Sequence, residues 1–223
     1  MAEQKVPLAD EGRKRAVIFD FDGTIADSMR AIVQVFEDLT GRTVPYTEEE
    51  INRLRDLSGF DLIKAVDVPA WKVPILLIKG RQMLKKHMHG IAVHEGMADM
   101  IKALHKHGVP LYVLSSNSTE NVQKYLQWHH LSEYFVAVYG GAGLLGKAPG
   151  LLKLIEQGNV DVANSWYVGD ELRDVSAARA VGLKSASVTW GYNTHRALEH
   201  KKPDALVDTA EQLAKALSDV WKK

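Results

Sequence analysis

Apolar residues fall along this chain in two kinds of run. Short, mostly apolar stretches at 16–19, 110–114, 135–139, 165–168, 185–188 and 205–207 are bounded by turn residues or acids, and so read as buried strands. Between them, apolar positions recur at helical spacing. Met97, Met100, Ile101 and Leu104 share one face of a helix over 95–107 that Gly108 ends, and Val122, Tyr125, Leu126 and His129 share a face over 119–130. Pro149 suits the first turn of a helix ending near Gly158, and 172–181 reads as another. Asp208, with Glu211 three residues on, predicts the cap of a last helix. From Val93 onward strands and helices alternate, which predicts a parallel sheet.

Residues 27–92 break this rhythm, because they read as helices with no strand. Ile32, Val35, Phe36 and Leu39 fall at helical spacing within 28–39. Thr47 and Glu50 form a capping-box pattern, and Ile51, Leu54 and Leu57 continue that helix until Gly59. Leu62, Ile63 and Val66 suggest a short third helix. Pro69 and Pro74 bracket the start of a longer one, which runs to about His89 and stops at Gly90. The chain thus divides into a polar lead-in at 1–14, an α/β core made of 15–26 and 93–223, and a helical insertion at 27–92. Placed directly after the first strand, the insertion is expected over that strand's carboxyl end, where open α/β sheets bind ligands.

Composition narrows the field. The 223 residues carry 28 Lys+Arg and 28 Asp+Glu, so there is no basic surplus to suggest a nucleic-acid binder. The absence of cysteine excludes disulfides, thiol catalysis and thiolate metal sites. No run reaches the length of a membrane helix, and 1–14 lacks the apolar centre of a secretory signal, so a cytoplasmic location is expected.

The chemistry collects at strand ends. The strand at 16–19 stops in Asp20-Phe21-Asp22-Gly23-Thr24, with two acids one residue apart and a glycine that lets the chain turn. Carboxylates so close repel, and either a divalent cation or a shared proton relieves them. Oxygen ligands favour Mg²⁺, which usually keeps waters and a substrate phosphate in its shell. The strand at 110–114 ends in Ser115-Ser116-Asn117 before a helix, where hydroxyls and N–H groups suit phosphate oxygens, although an ordinary helix cap has the same composition. Gly141 to Lys147 has the spacing of a nucleotide-binding P-loop, but Ala148 stands where that loop needs Ser or Thr, and Pro149 removes a donor. The strand at 165–168 ends in Gly169-Asp170-Glu171-Leu172-Arg173-Asp174. Nine histidines show no zinc spacing, and Trp71, Trp128 and Trp166 read as packing residues.

Asp20-Phe21-Asp22-Gly23-Thr24 after an apolar strand resembles the first motif of the haloacid dehalogenase superfamily in its phosphatase form. Ser115 stands in the Ser/Thr position of the second motif, Lys147 matches the lysine of the third, and Gly-Asp-x-x-x-Asp at 169–174 resembles the fourth. The third motif departs from pattern, with Lys-Ala-Pro in place of Lys-Pro. The helical insertion between the first and second motifs, with Trp190-Gly191-Tyr192-Asn193, resembles the phosphoglycolate phosphatase-like branch. The resemblance implies a Rossmann-like α/β core with a small helical cap and a Mg²⁺-dependent phosphatase acting on a small phosphorylated metabolite.

It further implies that Asp20 is the nucleophile, forming an aspartyl-phosphate, and that Asp22 is the acid–base group. Ser115, Ser116 and Lys147 would hold phosphate. Asp20, the Asp22 main-chain carbonyl and Asp170 would hold the metal, with Asp174 and Glu171 in support. Haloacid dehalogenase itself is disfavoured, because Asp22 supplies the second acid that phosphoryl-transfer members use. A phosphomutase of the same branch shares all these residues, and a non-catalytic binding protein on the scaffold would need few of them. Arg42, Arg53, Arg55 and Lys64 in the insertion are candidate contacts to an acidic leaving group. Either a monomer or a homodimer fits.

Overall fold

A computed structural model describes residues 12–41, 47–57, 61, 65, 72–142 and 146–221. Six strands, β1 (Val17–Phe19), β2 (Leu111–Leu114), β3 (Ala137–Tyr139), β4 (Trp166–Gly169), β5 (Lys184–Val188) and β6 (Ala205–Val207), form one sheet in the order β3-β2-β1-β4-β5-β6. Every neighbouring pair is parallel, as the alternating pattern requires. Strand alternation divides the apolar residues between two layers. Val17, Phe19, Leu111, Val113 and Val168 face one cluster with α4 (Met97–Lys106), α5 (Thr119–Trp128) and α9 (Ala210–Ala216). Ala16, Ile18, Tyr112, Leu114 and Tyr167 face the other, with α6 (Ala148–Gly158) and α7 (Leu172–Val181).

β1 lies between β2 and β4, with Phe19 level with Val113 on one side and Val168 on the other. The strand order reverses here, so a crevice opens beyond the carboxyl ends of β1 and β4. Asp20 and Asp170 are the residues that follow those two ends.

Between β1 and α4 lie α1 (Met29–Thr40), α2 (Glu48–Arg55) and α3 (Val73–His87), with no strand among the described residues of 27–92. α1 and α3 pack on each other. The segment leaves and rejoins the core at one place, where Asp27 N donates to Ala92 O (2.9 Å) and His94 N to Ile25 O (2.9 Å). The capping box at α2 is present in both directions: Glu50 N donates to Thr47 Oγ1 (3.2 Å) and Thr47 N to Glu50 Oε2 (2.8 Å). The short helix expected at Leu62, Ile63 and Val66, with Gly59 and Pro69, lies outside the described residues. The long helix ends at His87, and a 3₁₀ turn, Met88–Gly90, completes the run expected to His89.

Two further differences have simple causes. The last helix is capped by Thr209, not Asp208: the Thr209 hydroxyl accepts from Gln212 N (3.2 Å), while Asp208 N donates to Gln212 Oε1 (2.7 Å). Both residue types are good caps, so local chemistry does not separate them. α8 (His195–Lys201) has no forerunner in the sequence reading, because it is seven residues long and Leu198 is its one buried residue, too little for a period. No helix among the described residues is long and apolar enough to cross a membrane.

Candidate active site

β1 places the first acid by its last ladder bond, Asp20 N to Val168 O at 2.7 Å. The chain then turns sharply, with the N–H groups of Thr24, Ile25 and Ala26 converging on Phe21 O at 3.3, 3.0 and 3.0 Å. Gly23 takes φ +78°, and a Cβ there would lie 2.3 Å from Asp170 Oδ2, so conformation and space both require glycine. The turn aims Thr24 Oγ1 at Asp170 Oδ1 (2.7 Å). Gly191 abuts the same carboxylate and Gly169 the Asp174 carboxylate, each with a would-be Cβ 2.3 Å from an oxygen. Three glycines therefore let backbone close around two acids.

Asp20, Asp170 and Asp174 bring carboxylate oxygens within 4.8 Å of one another, all buried. Lys147, at the start of α6, is fully buried between two of them, with Nζ 2.6 Å from Asp20 Oδ2 and 2.7 Å from Asp174 Oδ1. Asp174 also accepts from Tyr167 Oη (3.2 Å) and Glu171 N (3.0 Å), closing the capping box of α7. Asp170 Oδ2 accepts from Tyr192 N (2.6 Å). Glu171 pairs with Arg173 (2.6 Å) rather than entering the cluster.

Asp22 stands apart from the triad. Its Oδ2 accepts from Asn117 Nδ2 (3.3 Å), and Asn117 is itself fixed by Ser118 N (2.9 Å) and Asn121 Nδ2 (3.0 Å) on its Oδ1. Ser115 Oγ accepts from Asn117 N (2.9 Å). Among the described residues, Ser116 Oγ is buried with no hydrogen-bond partner, so it is available to a ligand.

One ammonium faces three buried carboxylates, an excess of negative charge that favours proton uptake. Burial raises Asp20 to about 7, with Lys147 pulling down and Asp174 pushing up. Burial, then the charge of Asp20, carries Asp170 well above the ordinary range. Burial also raises Asp22, against its hydrogen bonds. For Lys147 burial alone would lower the pKa, but Asp174 and Asp20 together outweigh it and raise it. A surplus of buried carboxylate oxygen, without nitrogen or sulfur donors, fits a hard divalent cation, which would replace those protons. Asp174 accepts from three donors, Lys147, Tyr167 and Glu171 N, whereas Asp20 Oδ2 pairs with Lys147 and each Asp170 oxygen accepts one bond, which leaves Asp20 and Asp170 the better able to take a cation.

The structure thus gathers Asp20, Lys147, Asp170 and Asp174 into one cluster, sets Asp22 and Ser115 beside Asn117, and turns Glu171 toward Arg173. Of the candidate cations in the insertion, Arg55 donates to Tyr192 O (2.7 Å) and Gly191 O (2.9 Å), and Arg53 is exposed. Arg42 and Lys64 lie outside the described residues, as do Trp71 and Gly143 to Leu145 of the glycine loop. Sequence reasoning assigned no role to Thr24, Asn117, Tyr167, Gly191 or Asn193. Thr24 and Asn117 sat inside the motifs and were reachable there. Gly191 and Asn193 sat in the Trp190-Gly191-Tyr192-Asn193 stretch, which carried no role for them, and Tyr167 carries no local signal.

The model of a family described as haloacid dehalogenase-like hydrolase matches residues 17–188. A phosphoglycolate phosphatase of Synechococcus elongatus is 32% identical over 211 residues, covering 94% of this chain and 100% of that protein. A phosphoglycolate phosphatase of Escherichia coli O157:H7 is 27% identical over 237 residues, covering 91% and 92%. Among solved structures, a predicted phosphatase of Clostridium acetobutylicum superposes with TM-score 0.79 at 22% identity, covering 93% of this chain and 100% of that one. A haloacid dehalogenase-like protein of Streptococcus pneumoniae superposes with TM-score 0.74 at 19% identity, covering 91% and 97%.

Proposed function

The chain belongs to the haloacid dehalogenase-like hydrolases, and on that premise we propose that this phosphatase is Mg²⁺-dependent, works through a phosphoryl group on Asp20, and takes phosphoglycolate or a similar small acidic ester. The observation that carries the reading is the pairing of Asp20 with buried Lys147, beside Asp170 at the switch point of the sheet.

In this reading an Asp20 oxygen attacks phosphorus, the leaving oxygen departs, and the ester is exchanged for an acyl phosphate that water then cleaves. Asp22, held by Asn117 and with its pKa raised by burial, gives a proton to the leaving oxygen and then takes one from the attacking water. Positioned acid–base help of this kind contributes roughly 10²–10⁴ in rate. Lys147 and the hydroxyls of Ser115 and Ser116 hold the transferring oxygens where charge develops. Asp174 and Tyr167 keep Lys147 in place, and Glu171 serves the start of α7. Asp20, the Asp22 main-chain carbonyl and Asp170 would hold a divalent ion, which would supply positive charge to offset that of the carboxylates and the phosphate. Residues 27–92 act as a cap, and the last turn of α2 is one of the places where it meets the core.

Phosphate release from a panel of small phosphomonoesters, with and without Mg²⁺ and beside the Asp20→Asn protein, tests this. Metal-dependent release that vanishes in the variant is expected, with phosphoglycolate among the best esters. Release that persists in Asp20→Asn contradicts the assignment. Isomerised sugar phosphate without free phosphate would instead identify a mutase.

A further inference from the structure

The last turn of α2 meets the loop after β5 in a reciprocal clasp. The final carbonyls of a helix have no partner inside it. Here the core supplies partners: Tyr192 Oη donates to Leu54 O (3.1 Å), and Asn193 Nδ2 donates to Arg55 O and to Leu57 O (3.2 Å). The helix returns the contact through Arg55, whose Nε and Nη2 reach Tyr192 O and Gly191 O. Asp56 adds bonds from Thr194 and Arg196.

The other side of the same short loop holds Asp170. Tyr192 N donates to Asp170 Oδ2 (2.6 Å), Asn193 N to Asp170 O (3.2 Å), and Asn193 Oδ1 accepts from Leu172 N (2.8 Å), just past the acid. Gly191 has no side chain because Asp170 fills that space. One loop of four residues, 191–194, therefore binds the cap on one side and the acid on the other. It cannot shift toward either without disturbing the other.

We propose that Arg55 and Asn193 are positioning residues that tie the seating of the cap to the orientation of Asp170, so that cap docking and divalent-ion binding favour each other. The inference rests on Asp170 being a metal ligand. Coupling between two sites is reciprocal: if docking tightens the ion, the ion tightens docking by the same factor. The ion would thus help close the cap without touching it.

The test uses the full chain without substrate. Mg²⁺ affinity is measured by calorimetry, and amide hydrogen exchange is followed across 190–194 and 47–57, in wild type, Arg55→Ala, Arg55→Lys and Tyr192→Phe. Mg²⁺ is expected to slow exchange in 47–57 as well as in 190–194 of the wild type. Arg55→Ala is expected to weaken Mg²⁺ binding about tenfold, within the usual range of such couplings. Arg55→Lys, which keeps the charge but not the two-pronged donor, recovers part of the loss. Tyr192→Phe removes one hydroxyl with little risk to folding and gives a smaller loss of the same sign. Wild-type affinity in these variants, with faster exchange in 47–57, overturns the coupling, because the cap would then loosen unnoticed by the metal site. Unchanged exchange in 47–57 of Arg55→Ala overturns the clasp itself. A wild type that binds no divalent ion overturns the metal reading, an outcome distinct from the other two.

Discussion

The sheet core and the α2 side of the helical insertion are held by different forces. Every residue of β1, β2 and β4 is buried, and the acids at their ends are fixed by glycine contacts, ladder bonds and a buried lysine at once. The described insertion leaves Ile32, Val33, Ile51, Ile75 and Ile78 exposed; its return to the core buries Met88 and Ile91 in the main cluster, but α2 reaches the core through polar bonds at Arg55, Asp56 and Leu57. Apolar burial makes the core one cooperative body, whereas a polar clasp can be exchanged for water at small net cost. The difference suits an enzyme whose chemistry needs rigid groups and whose substrate must enter and leave.

That contrast can be broken or sharpened by experiment. The largest effect is expected at the nucleophile: Asp20→Asn should lower turnover by about 10⁴-fold or more while the thermal transition is kept or raised, since the swap removes one of the crowded charges. Melting and phosphate release on one preparation check both halves. Lys147→Met should cost about 3–5 kcal/mol of stability in chemical denaturation, because Asp20 and Asp174 lose their counter-charge. Gly191→Ala should cost about 1–3 kcal/mol and most of the metal affinity, since its Cβ would meet Asp170. The cap comparison is Ile78→Ala, an exposed site where denaturation should move by no more than about 0.5 kcal/mol.

Acid should act on the two regions in opposite directions. Burial raises Asp20 from 3.8 to about 7 in the folded, metal-free protein, so the folded state holds the extra proton between these values. Stability of the metal-free protein therefore falls as pH rises across that window. A divalent ion bound by Asp20 and Asp170 would displace protons from both, so Mg²⁺ affinity should climb as pH rises across this window, as calorimetry at several pH values would show. The Thr194 hydrogen bond, followed by Arg196, holds Asp56 below its ordinary value. Its contribution is present above the unfolded pKa of 3.8 and is lost as pH falls through the lower folded value, so the clasp should open in strong acid. Exchange in 47–57 against pH follows that opening.

Much of the core was legible because its physics is local. Strand 205–207 and helix 172–181 match their expected bounds, since apolar runs and capping residues mark them directly. The motif acids were legible for a similar reason: each follows an apolar run whose end fixes its place. What remained hidden depends on tertiary distance. Tyr167 supports Asp174 only because α7 folds back on β4, and Asn193 acts on Arg55 across 138 positions of sequence. The sequence alone offers Arg55 as a contact to an acidic leaving group, whereas in the folded chain its Nε and Nη2 donate to Tyr192 O and Gly191 O.

The most direct measurement is to quench the enzyme in acid during turnover of its best ester with Mg²⁺ and to map any phosphoryl group by mass spectrometry. The account predicts one phosphoryl group on the peptide that carries Asp20, absent from the Asp20→Asn protein. Steady turnover with that peptide unmodified, and the label elsewhere or nowhere, would contradict it.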